Sequence, residues 1–200
     1  MGLASQIYAS DGTSIGAFYK ENRSDISYQE IPPHVVDALL ATEDVRFREH
    51  NGIDARSLVR AAVSLGSDGG GSTITQQLAK LQFTRGYEEV GILTRVGQKL
   101  QEWVIALRLE RVYTKDEIIT MYLNQYDFLN QAVGLKSAAS IYFSTSPDSL
   151  SIPQGAMLIG MLKNSSLFNP LKRDSLVLKR REVVMSQMVK YGKLSDGDYQ

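Results

Sequence analysis

Val36, Leu39, Leu40, Glu43, Phe47 and His50 recur at the three- and four-residue offsets of a single helical stripe. The stripe is apolar except for Glu43 and His50. A carboxylate turned into an apolar face is costly unless it is paired, protonated or put to use. Glu43 is therefore a candidate for acid–base chemistry, since displaced carboxylates cluster at sites. The plainer reading has the helix rotated, with Glu43 solvated at the rim of the core.

A second stretch has the makings of an anion site. Gly69, Gly70 and Gly71 lead into Ser72-Thr-Ile-Thr-Gln-Gln-Leu-Ala-Lys80, a glycine hinge opening into a helix. Thr73 and Gln76 have capping-box spacing. Free N–H groups at a helix start attract anions, and the hydroxyls of Ser72 and Thr75 and the ammonium of Lys80 would add to that. The order of a nucleotide-binding P-loop is absent. An ordinary capped helix after a loop explains the same residues. Lys99 and Glu102 lie three apart on a later helix. They either pair on a solvated surface or bring a second cation and carboxylate to the first site.

These groups need elements to hold them. Asp11-Gly12 marks the turn of a short hairpin or extended arm between Gln6 and Tyr19. Pro33 suits the first turn of the Glu43 helix, which is predicted to run to about Glu49 and stop near Asn51-Gly52. Ile53 to Leu65 reads as a helix with Leu58, Ala62 and Leu65 on one side and Arg56 and Arg60 beside them. It is either a core helix or a surface that touches lipid headgroups. Gly66 to Gly71 reads as a flexible loop and Thr84 to Thr94 as a mobile polar segment. A long helix is expected from Arg95, with Leu100, Trp103, Val104 and Leu107 as its apolar stripe. Thr114 with Glu117 and Ser151 with Gln154 cap two further helices. Gly134 to Phe143 and Ser175 to Tyr191 read as helices, the latter taken as the last.

Composition narrows the function. The 200 residues suffice for a sizeable core. The formal net charge of zero gives no global electrostatic case for nucleic acid. Without cysteine there is no disulfide, thiolate metal site or cysteine nucleophile, and two histidines make a histidine-rich zinc site a poor fit. No apolar run reaches the ~18 residues of a membrane span. The expected fold is mainly α, one unit with two lobes hinged near the glycine loop.

Taken together, the motifs resemble the family 51 glycosyltransferases, the peptidoglycan glycosyltransferase domains of class A penicillin-binding proteins and monofunctional transglycosylases. Glu43-Asp-x-x-Phe-x-x-His-x-Gly52 matches the first family motif, and Gly70-Gly-Ser-Thr-Ile-Thr-Gln-Gln-Leu-Ala-Lys80 the second. Lys99-x-x-Glu102 matches most of the third, Glu117-Ile-x-x-x-Tyr-Leu-Asn124 the fourth, and Arg180-Arg181 with Val184 and Met188 the fifth. Five motifs in order over nearly the whole chain are specific. Three features depart from the pattern. Gln98 stands where the family has arginine, which removes a cation and leaves Arg95 or Arg85 as candidates to replace it. The Leu81–Thr94 segment is long and lacks the family's common Asn after Lys80, and Gln154 replaces a common glutamate, read as structural.

The resemblance implies a lysozyme-like fold, with a larger globular lobe, a smaller membrane-associated lobe and an N-terminal arm over about residues 1–31. One glycosyltransferase domain spans 1–200. The family's membrane anchor and, in many members, its transpeptidase domain are not among these residues, so an excised domain of an envelope enzyme is expected. The implied reaction polymerises lipid II into glycan strands with inversion. Glu43 is the implied base and Glu102 a second catalytic carboxylate. Asp44, Phe47, His50, Gly71, Ser72, Thr73, Thr75, Gln76, Gln77, Lys80, Lys99 and Asn124 are the implied substrate-binding residues. No cofactor is required, with a divalent cation, Mg or Mn, as an optional addition. Implied partners are lipid II, the nascent strand, the bacterial membrane surface and other cell-wall synthesis proteins. The implied place is the cell envelope, on the outer face of the cytoplasmic membrane. Two rival readings are a lysozyme-like glycan hydrolase, which would not need Lys80, Lys99 or the glycine-loop anion site, and a non-catalytic lipid II docking module, favoured only by Gln98.

Overall fold

Two prolines set the start of the helix that carries Glu43. Pro32 caps it and Pro33 occupies its first turn, where a missing N–H and a fixed φ are assets. This helix, α1 (Pro33–Glu43), buries Val35, Val36, Ala38, Leu39, Leu40 and Ala41. The computed structural model describes residues 5–18, 22–23, 25–63, 71–83 and 92–199.

Before α1, strands β1 (Ser5–Tyr8) and β2 (Ser14–Phe18) form the antiparallel hairpin expected around Asp11-Gly12. Gly12 takes φ +84°, and the Asp11 carboxylate accepts the Thr13 N–H. A two-residue strand β3 (Asn22–Arg23) and a single 3₁₀ turn at Tyr28–Glu30 complete the arm. After α1 come α2 (Ala55–Val63), α3 (Ile74–Phe83), α4 (Ile92–Val112) and α5 (Lys115–Gln125). Strand β4 (Ala132–Val133) pairs in parallel with β3 and returns the chain to the arm. Then follow α6 (Leu135–Phe143), α7 (Ile152–Met161), α8 (Asp174–Lys190) and the short α9 (Asp196–Tyr199). The fold is mainly α, as the sequence led one to expect.

One apolar core joins these helices. α1 packs on α7 and α8, α7 packs on α8, and α3 packs between α4 and α5. Leu39, Leu78, Ile118, Leu123, Leu158 and Ile159 are fully buried in it. The predicted capping boxes at Thr114–Glu117 and Ser151–Gln154 are present. The Gln154 carbonyl accepts the Ser151 N–H, which is the structural role read for it.

Four expectations change. α1 stops at Glu43, six residues before the predicted end, because Asp44 leaves helical geometry (φ −159°, ψ 78°). Phe47 and His50 therefore lie in a turn segment and share no helical stripe with Glu43. The long helix starts at Ile92, ahead of Arg95. Its apolar stripe faces outward: Leu100 is 54% and Val104 50% exposed, while Glu102, Ala106 and Leu109 are buried. The packed face is the one that carries the small Ala106 and the Glu102 carboxylate, because that is the face α3 meets. Finally, α9 follows the helix taken as the last. The loop expectations at 66–70 and 84–91 lie outside the described residues.

Gly52 shows how closely the turn segment sits on α4. Its φ is +88°, and a Cβ there would lie 2.9 Å from the Ala106 carbonyl oxygen. Gly52→Ala combines a left-handed backbone with a backbone clash. It should destabilise the protein by about 2 kcal/mol or more, seen as a lower urea midpoint.

Candidate active site

The site is built where α1 ends. The Asp44 carboxylate is buried and accepts the His50 Nε2–H at 3.0 and 3.1 Å and the Ile74 N–H at 3.1 Å. His50 Nδ1 accepts the Gly52 N–H at 3.2 Å, which fixes the proton on Nε2. Asp44 thus ties the end of α1 both to the turn after it and to the positive end of α3. Lys115 locks the same turn from α5. Its Nζ donates to the His50 carbonyl at 2.6 Å and to Glu110 at 2.7 Å, and stands 4.3 Å from the centre of the fully buried Phe47 ring.

With Asp44 held, Glu43 points into a cleft of about 980 Å³. Its Oε2 accepts the Gln77 Nε2–H at 3.1 Å, and its Oε1 lies 3.5 Å from Arg180 Nη2. The carboxylate predicted on an apolar face is in fact met by an amide donor from α3 and a guanidinium from α8. Burial lowers the Arg180 pKa, and Glu43 works against that shift. Arg180 Nε also donates to the Gly160 carbonyl at 3.3 Å. Tyr122 O–H donates to Gln77 Oε1 at 2.7 Å. Tyr126 lies on the same wall, its hydroxyl 3.1 Å from the carbonyls of Met161 and Leu162, and burial pushes its phenol up to about 12.

The start of α3 differs from the anion cradle expected of it. The Ile74 N–H is taken by Asp44, the Gln76 N–H by Thr73 Oγ1, and the Thr73 N–H by the Gln76 carbonyl. The Thr73 hydroxyl donates to the Gly52 carbonyl at 2.7 Å, and the Thr75 hydroxyl to Glu110. The capping box is present, and with Asp44, Gly52 and Glu110 it occupies the N–H groups of Thr73, Ile74 and Gln76 and the hydroxyls of Thr73 and Thr75. Positive charge comes from side chains instead. Among the described residues, Arg60, Lys80, Lys163, Arg180 and Lys190 line the cleft, against the carboxylates of Glu43 and Asp44.

Other predicted residues divide between the cleft and its supports. Gln77, Ser72 and Lys80 lie on the cleft wall. Lys99 and Glu102 stand one step back: Lys99 Nζ donates to Glu102 and to Ser72 Oγ, both at 2.8 Å. Gly71 leads into Ser72, and Gln76 is buried in the cap. Phe47, His50, Thr73 and Thr75 are packed or bonded inside the protein. Asn124 is far from Glu43 in role: its side chain clamps Ile26, accepting its N–H at 3.1 Å and donating to its carbonyl at 2.9 Å. Arg180 and Tyr122 were quoted within motifs but not singled out as site residues. The signal for Arg180 was an arginine pair on an otherwise amphipathic helix. Arg95, a candidate to replace the missing family arginine, is exposed on α4 and off the cleft wall; Arg85 lies outside the described residues.

A mainly helical fold thus brings a carboxylate and a cluster of cations into one cleft. Comparisons with known proteins supply the family. A model of the transglycosylase family, described as "Transglycosylase", matches residues 11–189. The chain is 36% identical over 199 residues to penicillin-binding protein 1A of Pseudomonas aeruginosa, covering 98% of this chain and 24% of that protein. It is 39% identical over 201 residues to penicillin-binding protein 1A/1B of Bacillus subtilis, covering 98% of this chain and 21% of that protein. In fold it is similar to the crystal structure of penicillin-binding protein 1A from Haemophilus influenzae, with a TM-score of 0.55 at 22% identity, over 98% of this chain and 19% of that one. The chain belongs to the transglycosylase family. It spans about a quarter of the length of the curated relatives it matches.

Asp54 places one wall of this cleft. It caps the start of α2 and receives Arg46 Nη2 on both oxygens, at 2.8 and 2.7 Å, and so presents Ser57 and Arg60. Burial would raise the Asp54 carboxyl, but hydrogen bonds from Ser57 and Arg46 outweigh it and hold it at about 2, below the ordinary 3.8. A depressed carboxyl stabilises the fold above its unfolded value and loses that contribution as pH falls through the folded one. Stability should therefore drop between about pH 4 and pH 2. Asp54→Asn should be less stable at pH 7 and converge with wild type at pH 2 in urea titrations.

Proposed function

We propose that this domain polymerises lipid II, the disaccharide-pentapeptide carried on a polyprenyl diphosphate. The observation that carries this reading is the placement of Glu43 in one cleft with five cationic side chains among the described residues. In the proposed step, the acceptor's 4-hydroxyl oxygen forms a bond to the anomeric carbon of the growing strand. The bond from that carbon to the diphosphate oxygen breaks, and configuration inverts. Glu43 takes the hydroxyl proton, because a sugar hydroxyl is a poor nucleophile until a base removes it. Oε2 is held by Gln77, and Oε1, only loosely paired with Arg180, is the oxygen open to an incoming hydroxyl.

The leaving diphosphate carries its electron pair away as an anion and needs no proton if fixed positive groups meet it. Lys80 and Arg180 from opposite walls are our choices for that task, with Arg60, Lys163 and Lys190 adding to the field. Lys99 and Glu102 act one step back by holding Ser72 on the wall. Glu102 is in this reading a positioning carboxylate. No resident cofactor is invoked. A Mg or Mn ion arriving on the diphosphate would belong to the substrate.

The polyprenyl tail calls for an apolar face beside the cleft. Val59 and Val63 on α2, near Arg56 and Arg60, and Val96, Leu100 and Val104 on α4 are exposed. Apolar side chains flanked by arginines suit the headgroup boundary of a bilayer. We place these helices against the outer face of the cytoplasmic membrane. No described helix is long and apolar enough to cross it.

The test is polymerisation of lipid II in detergent, followed by product length. Glu43→Gln should lose at least about 10²-fold in rate, the size of a general-base contribution. Lys80→Ala should lower the rate while leaving an undecorated glycan strand uncut, as in wild type. Cleavage of glycan strands without any polymer would overturn the reading in favour of a hydrolase. Binding of lipid II with no turnover by wild type would make the domain a docking module.

A further inference from the structure

Tyr122 stands behind the proposed base without touching it. Its phenol lies on α5 and is almost fully buried. It donates to Gln77 Oε1 at 2.7 Å, and Gln77 Nε2 donates to Glu43 Oε2 at 3.1 Å. Three helices far apart in sequence thus share one chain of hydrogen bonds, with α5 donating to α3 and α3 donating to the carboxylate of α1. An amide has a donor end and an acceptor end, and nothing in its shape chooses between them. Reversed, the Gln77 carbonyl would face an ionised carboxylate with no proton between them, which is repulsive in a half-buried setting.

From this geometry we infer that Tyr122 is a positioning residue for the transfer reaction: it anchors the Gln77 amide by its carbonyl end and so holds the donor end in place against Glu43. Burial, followed by the field of Glu43, raises the Tyr122 phenol well above its ordinary value, so it keeps its proton and remains a donor. The amide then holds Oε2 of Glu43 and leaves Oε1 directed to Arg180 and the cleft. Without the phenol, the amide loses its anchor and shifts on its rotatable side chain, and the carboxylate it holds loses its fixed orientation. A base held off its productive geometry loses rate without losing substrate affinity. The inference rests on the reading of Glu43 as the base.

Tyr122→Phe removes only the hydroxyl and keeps the packed ring, so the fold should survive. The experiment measures kcat and KM for lipid II, with thermal unfolding alongside, for Tyr122→Phe, Gln77→Leu, the double variant and Glu43→Gln. We expect Tyr122→Phe to lower kcat by roughly tenfold with KM within about twofold, as for loss of an orienting hydrogen bond. The double variant should be no slower than Gln77→Leu alone, because the phenol acts only through the amide. If the two losses multiply, or if Tyr122→Phe raises KM or lowers the unfolding midpoint without changing kcat, the residue is merely structural and the inference is overturned. If Glu43→Gln retains wild-type rate, the base reading itself fails. Loss in Glu43→Gln beside an unchanged Tyr122→Phe rejects the positioning role alone.

Discussion

The Asp44 carboxylate at the start of α3 is the contact on which the site depends. It does three things that a single buried carboxylate seldom combines. It ends α1 by drawing its own backbone out of the helix, it fixes the His50 turn, and it satisfies an orphan N–H at the positive end of another helix. Glu43 is the residue immediately before this bend. Its direction into the cleft follows from the knot beside it and not from any apolar stripe. Lys115 reinforces the arrangement by holding a carbonyl, a carboxylate and an aromatic face at once. Much of the first motif therefore supports one side chain.

The cleft gathers cations from several elements around two carboxylates. Arg180 is partly buried and only loosely paired with Glu43, while Lys80, Lys163 and Lys190 surround the same space. Holding like charges together works against stability, and a protein keeps such a cluster where an anion offsets it. Arg180 and Lys190 stand on α8, which packs on α1 and α7, and Lys80 stands on α3.

Helix content, the hairpin and the capping boxes were legible in the sequence because they depend on neighbours a few residues away. Glu43 stood out in the sequence for an apolar setting, whereas its carboxylate meets the Gln77 amide and the Arg180 guanidinium. The end of α1 was misplaced because the periodic pattern continues through Phe47 and His50, while the residue that breaks the helix does so through a tertiary bond to Ile74. The same cause hid the fate of the α3 donors: no local rule says that Asp44 will occupy one of them. Asn124 belonged to a motif, yet its side chain serves the arm at Ile26. Leu100 and Val104 form the apolar stripe expected of α4, but it faces outward, since a periodic pattern shows that a stripe exists and not which side of the helix its neighbours take. Arg180 escaped because its pairing with Glu43 spans 137 positions.

That span also governs when the site can exist. Contacts between distant residues form only after the intervening chain has been closed into a loop, and a ribosome delivers the chain from its N-terminus. Glu43 is made early, the Gln77 amide that bonds it follows, and the Arg180 guanidinium arrives with α8. A nascent chain lacking α8 has its carboxylate but only one wall to face. Competence is thus tied to completion of the domain: until α8 docks on α1 and α7, there is no assembled cleft in which to hold a substrate.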